Sequence, residues 1–89
     1  MPRIVSITLQ NTDDARPIIA AITADNPGAR INAMPGIVKI DRDDSLTVRR
    51  ASVEDRLGRV WDPQEIHLSI VSMAGNLDED DDYFNLSWS

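Results

Sequence analysis

The densest group of potential ligands is a run of five consecutive acidic side chains that begins at Asp78. Asp78, Asp80 and Asp82 have the one, three, five spacing of a calcium-binding loop, in which carboxylate oxygens hold the ion. Such a loop needs glycine at its sixth position and glutamate at its twelfth, where this sequence has Tyr83 and Ser89. We therefore predict no specific calcium site. A hydrated bend and a segment that contacts a partner both remain open.

Histidine and cysteine, which often serve as general base and nucleophile, are nearly absent. His67 is the only histidine and there is no cysteine, so a general base has one position available and a thiolate nucleophile has none. One histidine without cysteine cannot assemble the nitrogen and sulfur ligands of a zinc site. The four glycines are separated along the chain, so they form no phosphate-binding loop. We predict neither a catalytic centre nor a bound cofactor.

Composition points to a protein partner in the cytoplasm. The chain has 89 residues, a formal net charge of −6 and a sequence pI near 4.4. This charge repels nucleic acid and anionic membranes, both of which are bound through clusters of Lys and Arg. The lack of cysteine fits a reducing compartment, and no apolar run approaches the roughly 20 residues that span a bilayer. We predict a small protein that acts by binding another protein.

The first half of the chain predicts a strand, a helix and three further strands. Alternation from Arg3 to Leu9 indicates a strand. Capping residues from Asn11 to Asp14 precede an amphipathic helix that stops at Asp25-Asn26-Pro27-Gly28. The apolar positions of this helix are Ala15, Ile18, Ile19 and Ile22. Three short β segments, which we expect to form a meander, are Arg30 to Ala33, Ile37 to Asp41 and Leu46 to Arg49.

The second half predicts a short helix, a helical turn and two strands. Ser52 and Asp55 approximate a capping box before a helix that ends at Gly58. Asp62-Pro63-Gln64-Glu65 predicts one more helical turn. Alternation at Ile66, Leu68 and Ile70 predicts a strand that turns His67 toward solvent, and alternation at Phe84, Leu86 and Trp88 predicts a last strand that faces the core.

These elements occur in the order β-α-β-β-β-α-β-β. A chain of this length supports one core, so we predict a single small domain over residues 1–89. Its expected class is α+β, with two to three helices packed on a mainly antiparallel sheet. Trp61 lies between elements, where it can complete the core or anchor a partner.

Five segments, taken in this order, resemble a known family. They are "DNPGARI", "MPGIVKID", "LTVRR", "LGRVWDPQEI" and "AGNLDEDDDYFNLSW". Together they are similar to the regulatory, or effector, components of bacterial multicomponent phenol hydroxylases, whose family includes the coupling proteins of methane and toluene monooxygenases. The similarity extends from about Ile4 to Trp88. The domain is therefore identified as one of the monooxygenase effector type.

This resemblance implies a regulatory role without catalysis. Effector proteins of this kind carry no cofactor and dock on the oxygenase component, over its diiron site. Docking stimulates hydroxylation and couples it to the use of NADH and dioxygen, and an excess of effector competes with the reductase for the oxygenase surface. Physically, such a protein is a ligand with different affinities for two states of its partner.

We expect two segments of small and adaptable side chains to contact that partner. They are the turn that contains Asn32 and Met34, and the segment that contains Ser72, Met73 and Asn76. Arg49 is a further candidate as a charge, and Trp61 as an aromatic anchor.

Two other functions remain open from the residues alone. One is an acidic adaptor or inhibitor unrelated to oxygenases, which would form no complex with a diiron hydroxylase. The other is a small enzyme that uses the pair Asp80 and Asp82 on a sugar or phosphate, which needs a concave pocket.

Overall fold

The computed structural model describes residues 3–88, so Ser89, the twelfth position of the calcium-loop comparison, lies outside the described part. The seven strands are β1 (Ile4–Gln10), β2 (Arg30–Met34), β3 (Ile37–Asp43), β4 (Ser45–Arg49), β5 (Ile70–Ala74), β6 (Asn76–Glu79) and β7 (Tyr83–Ser87). The helical segments are α1 (Arg16–Asp25), α2 (Arg50–Leu57) and a 3₁₀ helix (Pro63–Leu68).

The strands form two antiparallel sheets. Sheet A has the order β2-β3-β1-β5, and sheet B has the order β4-β7-β6. All five strand pairings are antiparallel. The predicted α+β class with mainly antiparallel strands is therefore confirmed.

The alternation that predicted β1 also determines which face of sheet A is buried. Val5, Ile7 and Leu9 are fully buried, as expected for one face of a strand with period two. On the neighbouring strand, Val38 lies opposite Leu9 and Ile40 lies opposite Ile7. These residues form the inner face of sheet A.

Sheet B contributes the other wall of the core. Its buried residues are Leu46 and Val48 of β4, with Phe84 and Leu86 of β7. They belong to the same continuous cluster as the inner face of sheet A and the buried side of α1. Trp61 is 2% exposed and belongs to this cluster as well, so of the two places that the sequence allows, it occupies the core.

Trp88 lies less deeply than Phe84 and Leu86, so the strand face that the alternation predicts for the core is only partly buried at its end. Its side chain is partly buried against the core. The indole Nε1 donates a hydrogen bond to the Ile4 carbonyl at 2.8 Å, and the Arg3 guanidinium lies 4.8 Å from the ring centroid. Trp88 thus joins the end of β7 to the start of β1.

Helix α1 ends where the sequence predicts, and its C-cap residue, Asn26, also protects a sheet edge. Asn26 is 2% exposed and ends the helix, because its side-chain Nδ2 donates to the Ile22 carbonyl at 2.8 Å. The same amide accepts from the Thr47 N–H at 2.9 Å and donates to the Thr47 carbonyl at 2.7 Å. Asn26 therefore pairs with the free edge of β4 as a neighbouring strand would.

The predicted meander of three strands is wrong in its last pairing. Strands β2 and β3 form a hairpin, but β4 leaves sheet A and pairs with β7 in sheet B. The change occurs at Asp44, which has a φ of +72° and donates its N–H to the Arg3 carbonyl at 2.7 Å. Aspartate adopts this left-handed conformation more readily than most residues, so the predicted turn becomes a crossing between sheets.

Helix α2 begins two residues before the predicted capping box. It starts at Arg50, so Ser52 lies inside its first turn, and its N-cap Arg49 forms no side-chain cap. Its end is as predicted, because Gly58 has a φ of +73° and its N–H donates to the Glu54 carbonyl at 2.8 Å. This left-handed glycine is a common way to end a helix.

The predicted strand through Ile66, Leu68 and Ile70 is also wrong. Asp62 and Glu65 form a complete capping box, and the helical turn that it starts continues as the 3₁₀ helix to Leu68. Ile66 is buried, but Leu68 is 81% exposed. In a strand these two residues would share one face, whereas in a 3₁₀ helix with three residues per turn they point in different directions. The strand starts only at Ile70.

Candidate partner-binding surface

The acidic run divides between a strand and a turn. Asp78 and Glu79 belong to β6, which the sequence did not predict, and the next three aspartates form the turn between β6 and β7. The Asp80 N–H donates to the Tyr83 carbonyl at 2.9 Å, and the Asp82 N–H donates to Asp80 Oδ1 at 3.1 Å. The predicted solvated bend is therefore a shorter, internally bonded hairpin turn.

Within residues 3–88, His, Cys, Asp and Glu side chains form no group of three or more that could hold a metal ion. Over the same range, no helix has the length and apolar character needed to cross a membrane.

His67 is held by a carboxylate from the unpredicted strand. Its Nε2 lies 2.9 Å from Glu79 Oε2, and its ring meets the Phe84 ring edge-on with centroids 5.7 Å apart. The histidine is exposed, as predicted, but it lies on the 3₁₀ helix and joins that helix to sheet B. This contact explains its place in the fold without any catalytic role.

Tyr83 makes a comparable contact on the outer face of sheet B. Its hydroxyl donates a hydrogen bond to Asp78 Oδ2 at 3.1 Å. This bond to a carboxylate raises the pKa of the Tyr83 phenol above its ordinary value, and the negative charges of Asp78 and Asp80 raise it further.

Three of the predicted contact residues share the outer face of sheet A. The strand registers place Asn32, Lys39, Thr8 and Ser72 in one row across all four strands. Strand spacing of about 4.8 Å puts Asn32 and Ser72 roughly 14 Å apart. Met34 follows in the adjacent row beside Ile37. Asn32 and Ser72 are exposed and Met34 is half-buried.

Thr8 and Lys39 complete that row, and sequence analysis did not select them. The alternation of Val5, Ile7 and Leu9 assigns Thr8 to the opposite face from the sequence alone, although the structure buries Thr8 there, at 7% exposure. The lateral neighbours of Thr8 depend on pairings between segments about 30 and 60 residues away along the chain, which no local pattern specifies.

The other predicted contact residues lie elsewhere. Met73 occupies edge strand β5 in the row of Ile7 and is 40% exposed. Asn76 starts β6, and Arg49 ends β4 on the outer face of sheet B. Trp61 is buried, so its ring is not available as a surface anchor in this conformation. The structure thus gathers Asn32, Met34 and Ser72 on one face and separates the remaining four from it.

A cleft of about 560 Å³ opens where β4 meets α2 and the acidic turn. Arg50 bridges its walls, because its Nε lies 3.1 Å from Glu54 Oε2 and its N–H donates to the Asp82 carbonyl at 2.9 Å. Glu54 Oε2 also accepts from the Trp61 N–H at 2.8 Å. The residues that line the cleft are Thr47, Arg49, Arg50, Ala51, Glu54, Asp82 and Tyr83.

The hydrogen bonds to Glu54 favour the charged forms of both Glu54 and Arg50 in the cleft wall. The Trp61 N–H, followed by the Arg50 guanidinium, lowers the pKa of the Glu54 carboxyl below its ordinary value. The hydrogen bond from Arg50 to Glu54 in turn raises the pKa of the guanidinium. Both groups are therefore ionised and already paired at neutral pH.

The described residues form a small α+β domain in which two antiparallel sheets and three helical segments enclose one core. Its candidate functional features are the outer face of sheet A and the cleft beside Arg49. Residues 3–87 match the model of the MmoB/DmpM family, and this chain belongs to that family. It is 42% identical, over 99% of its length and 98% of the relative, to phenol 2-monooxygenase stimulatory component DmpM of Pseudomonas sp. (strain CF600).

Solved structures agree with this assignment. A chain from a phenol hydroxylase–regulatory protein complex matches with a TM-score of 0.94 and 40% identity, and the match covers 98% of this chain and 100% of that one. Soluble methane monooxygenase regulatory protein B has the same fold, with a TM-score of 0.77 at 17% identity. That match covers 97% of this chain and 65% of the other.

Proposed function

We propose that this chain is the stimulatory component of a phenol hydroxylase. It binds the diiron oxygenase component and couples NADH- and dioxygen-dependent hydroxylation of an aromatic ring, without a cofactor or catalytic residue of its own. The observation that carries this proposal is the 42% identity, along nearly the whole of both chains, to a protein named as a stimulatory component. The match to a chain from a hydroxylase–regulatory protein complex supports the same partner.

Stimulation follows from differential binding. A protein that binds one conformation of the oxygenase more tightly than another shifts the population toward the first. A tenfold difference in affinity corresponds to about 1.4 kcal/mol of coupling, which is within the usual range for regulatory ligands. The effector therefore needs a complementary surface and no reactive group.

The outer face of sheet A is the surface that we propose for docking. It is built on four paired strands, so its side chains have fixed positions before the partner arrives, which lowers the entropic cost of binding. Asn32 and Ser72 supply polar groups at the two edges, and Met34 supplies an adaptable apolar side chain. Met73, Asn76, Arg49 and Trp61 lie outside this face, so a contact between the oxygenase and any of them would be a second, separate one.

The remaining parts of the proposal concern the whole chain. The continuous core supports treating residues 1–89 as one domain. The cysteine-free sequence is compatible with a cytoplasmic location. Competition with the reductase for the oxygenase surface would appear as inhibition when the effector is in excess.

Steady-state phenol hydroxylation by purified oxygenase and reductase, with increasing amounts of this chain, tests the function. We expect the rate to rise to a maximum as the chain is added. A rate that stays constant at every ratio would refute the proposal and favour the unrelated adaptor.

A pair of variants tests the docking face separately. Ser72→Trp places a bulky ring at one edge of the face, so we expect weaker binding and a higher concentration for half-maximal stimulation. Ala20→Trp is the matched control, because Ala20 is exposed on α1, away from sheet A. Equal stimulation by both variants would show that the oxygenase binds another face, while the function itself would stand.

A further inference from the structure

Arg49 differs from the other basic side chains of the protein. All nine Lys and Arg residues lie within residues 3–88. The others each make a hydrogen bond, an ion pair or a cation–π contact there. Arg49 makes none of these contacts with any residue in this range. In a chain of net charge −6, a guanidinium without an internal partner is available for an external one.

The backbone of Arg49 is fixed on both sides. The residue ends β4, where it lies opposite Tyr83 of β7, and α2 starts at the next residue. Its side chain is exposed at the cleft of about 560 Å³. A cleft of this size accommodates several side chains of a partner, since small-molecule sites measure about 300 to 1,000 Å³.

The carboxylates of the cleft do not neutralise Arg49. Glu54 is occupied by Arg50 and by the Trp61 N–H. Asp82 lines the same cleft but forms no ion pair with Arg49. The surface therefore presents one guanidinium without an ion pair beside the Asp82 carboxylate and the rest of the acidic turn. Its complement is a partner surface that carries a carboxylate next to a basic group.

We propose that Arg49 receives the carboxylate of an Asp or Glu side chain of the oxygenase component, which enters this cleft. The guanidinium can donate two parallel hydrogen bonds to that carboxylate, and Thr47 and Ala51 line the same cleft. The acidic turn beside Arg49 selects a partner with Lys or Arg next to the inserted acid. This inference rests on the proposed function, because it names the chemistry of the same partner.

Charge reversal tests the proposal through the Kd for the purified oxygenase. We expect Arg49→Glu to raise the Kd at least about tenfold, since removal of one member of a buried charge pair weakens complexes by such factors. Arg49→Lys keeps the charge but loses the two-bond geometry, so its Kd should lie between those of the wild type and Arg49→Glu. Arg56→Glu is the matched control, because Arg56 is exposed on α2, the helix that follows Arg49, and bonds only the Ser52 carbonyl.

A second variant tests insertion into the cleft. Ala51→Trp fills the cleft from the exposed side of α2, so we expect a similar loss of binding with the fold retained by circular dichroism. An unchanged Kd for either Arg49→Glu or Ala51→Trp would overturn the proposal. Failure of the wild-type chain itself to bind or stimulate would instead refute the proposed function.

Discussion

Tyr83 allows one side-chain contact to be measured directly, because it is the only tyrosine in the chain. Its hydrogen bond to Asp78 holds the pKa of the folded phenol above the ordinary value of about 10. A raised folded pKa contributes stability that is complete below the unfolded pKa and is lost as pH rises through the folded pKa. The contact therefore contributes its full stabilisation at neutral pH and loses it in alkaline solution, as pH rises through the folded pKa.

We predict that near-ultraviolet absorbance will show phenolate formation at higher pH in the native chain than in urea. The variant Asp78→Asn removes the charge that opposes ionisation, so its native midpoint should move down toward the unfolded value. Identical midpoints for the wild type and Asp78→Asn would mean that the contact is absent in solution.

At the residue scale, the sequence identified buried residues better than polar contacts. Alternation alone groups Val5, Ile7 and Leu9 on one face of a strand, and all three are fully buried. The role of Asn26 could not be foreseen, because its bonds to Thr47 join positions 21 residues apart. The same holds for Arg49, whose lack of a partner is visible only once every other cation has been located.

At the element scale, Gly75 controls how β5 and β6 join the two sheets. Its φ is +139°, and a Cβ atom there would lie 3.2 Å from Val5 Cγ1 and 3.5 Å from Leu86 Cβ. Val5 belongs to the inner face of sheet A and Leu86 to that of sheet B, and both are fully buried, so neither can move freely.

We predict that Gly75→Ala lowers the free energy of unfolding by about 2 to 4 kcal/mol, from overpacking and backbone strain together. Gly28→Ala is the control, because Gly28 also has a positive φ, +83°, but its added Cβ meets nothing within 4 Å. It should cost only about 1 kcal/mol. Urea unfolding measures both values, and equal losses would show that contact between the sheets at Gly75 is unimportant.

The errors in predicted elements have local physical causes. The alternation of Ile66, Leu68 and Ile70 is too short to distinguish a strand from a 3₁₀ helix. The capping box formed by Asp62 and Glu65 favours the helix, which continues to Leu68. Strand β6 was missed because Asp78 and Glu79 have low strand propensity, and its pairing with β7 overrides that preference.

At the scale of the whole molecule, the acidic turn should affect the rate of association. Exposed carboxylates act over a distance of about 8 Å at physiological ionic strength, so their influence depends on salt. We predict that changing Asp80, Asp81 and Asp82 to Asn reduces the salt dependence of binding to the oxygenase. Asparagine retains the turn, because its side chain can accept the same hydrogen bond as Asp80. If stopped-flow association rates keep the same salt dependence in this variant, the acidic turn does not steer association.

Fold class and family could be inferred from the sequence, whereas the contact surface could not. The segment "LGRVWDPQEI" and the C-terminal acidic segment are each continuous in sequence, so the family can be inferred from them without knowledge of the fold. A docking face consists of side chains from four strands, and the pairing of Asn32 with Lys39 and of Thr8 with Ser72 is known only from the folded sheet. Of the seven predicted contact residues, Asn32, Met34 and Ser72 share that face, and their contact with a partner stays a prediction.

The most direct test of the central claim is the yield of hydroxylated phenol per NADH consumed, measured with oxygenase and reductase before and after addition of this chain. A protein that stabilises one productive state of the oxygenase should raise both the rate and this yield, with the yield approaching one product per NADH at saturation. A yield that does not change on addition of a folded chain would contradict the account, even if the chain bound the oxygenase.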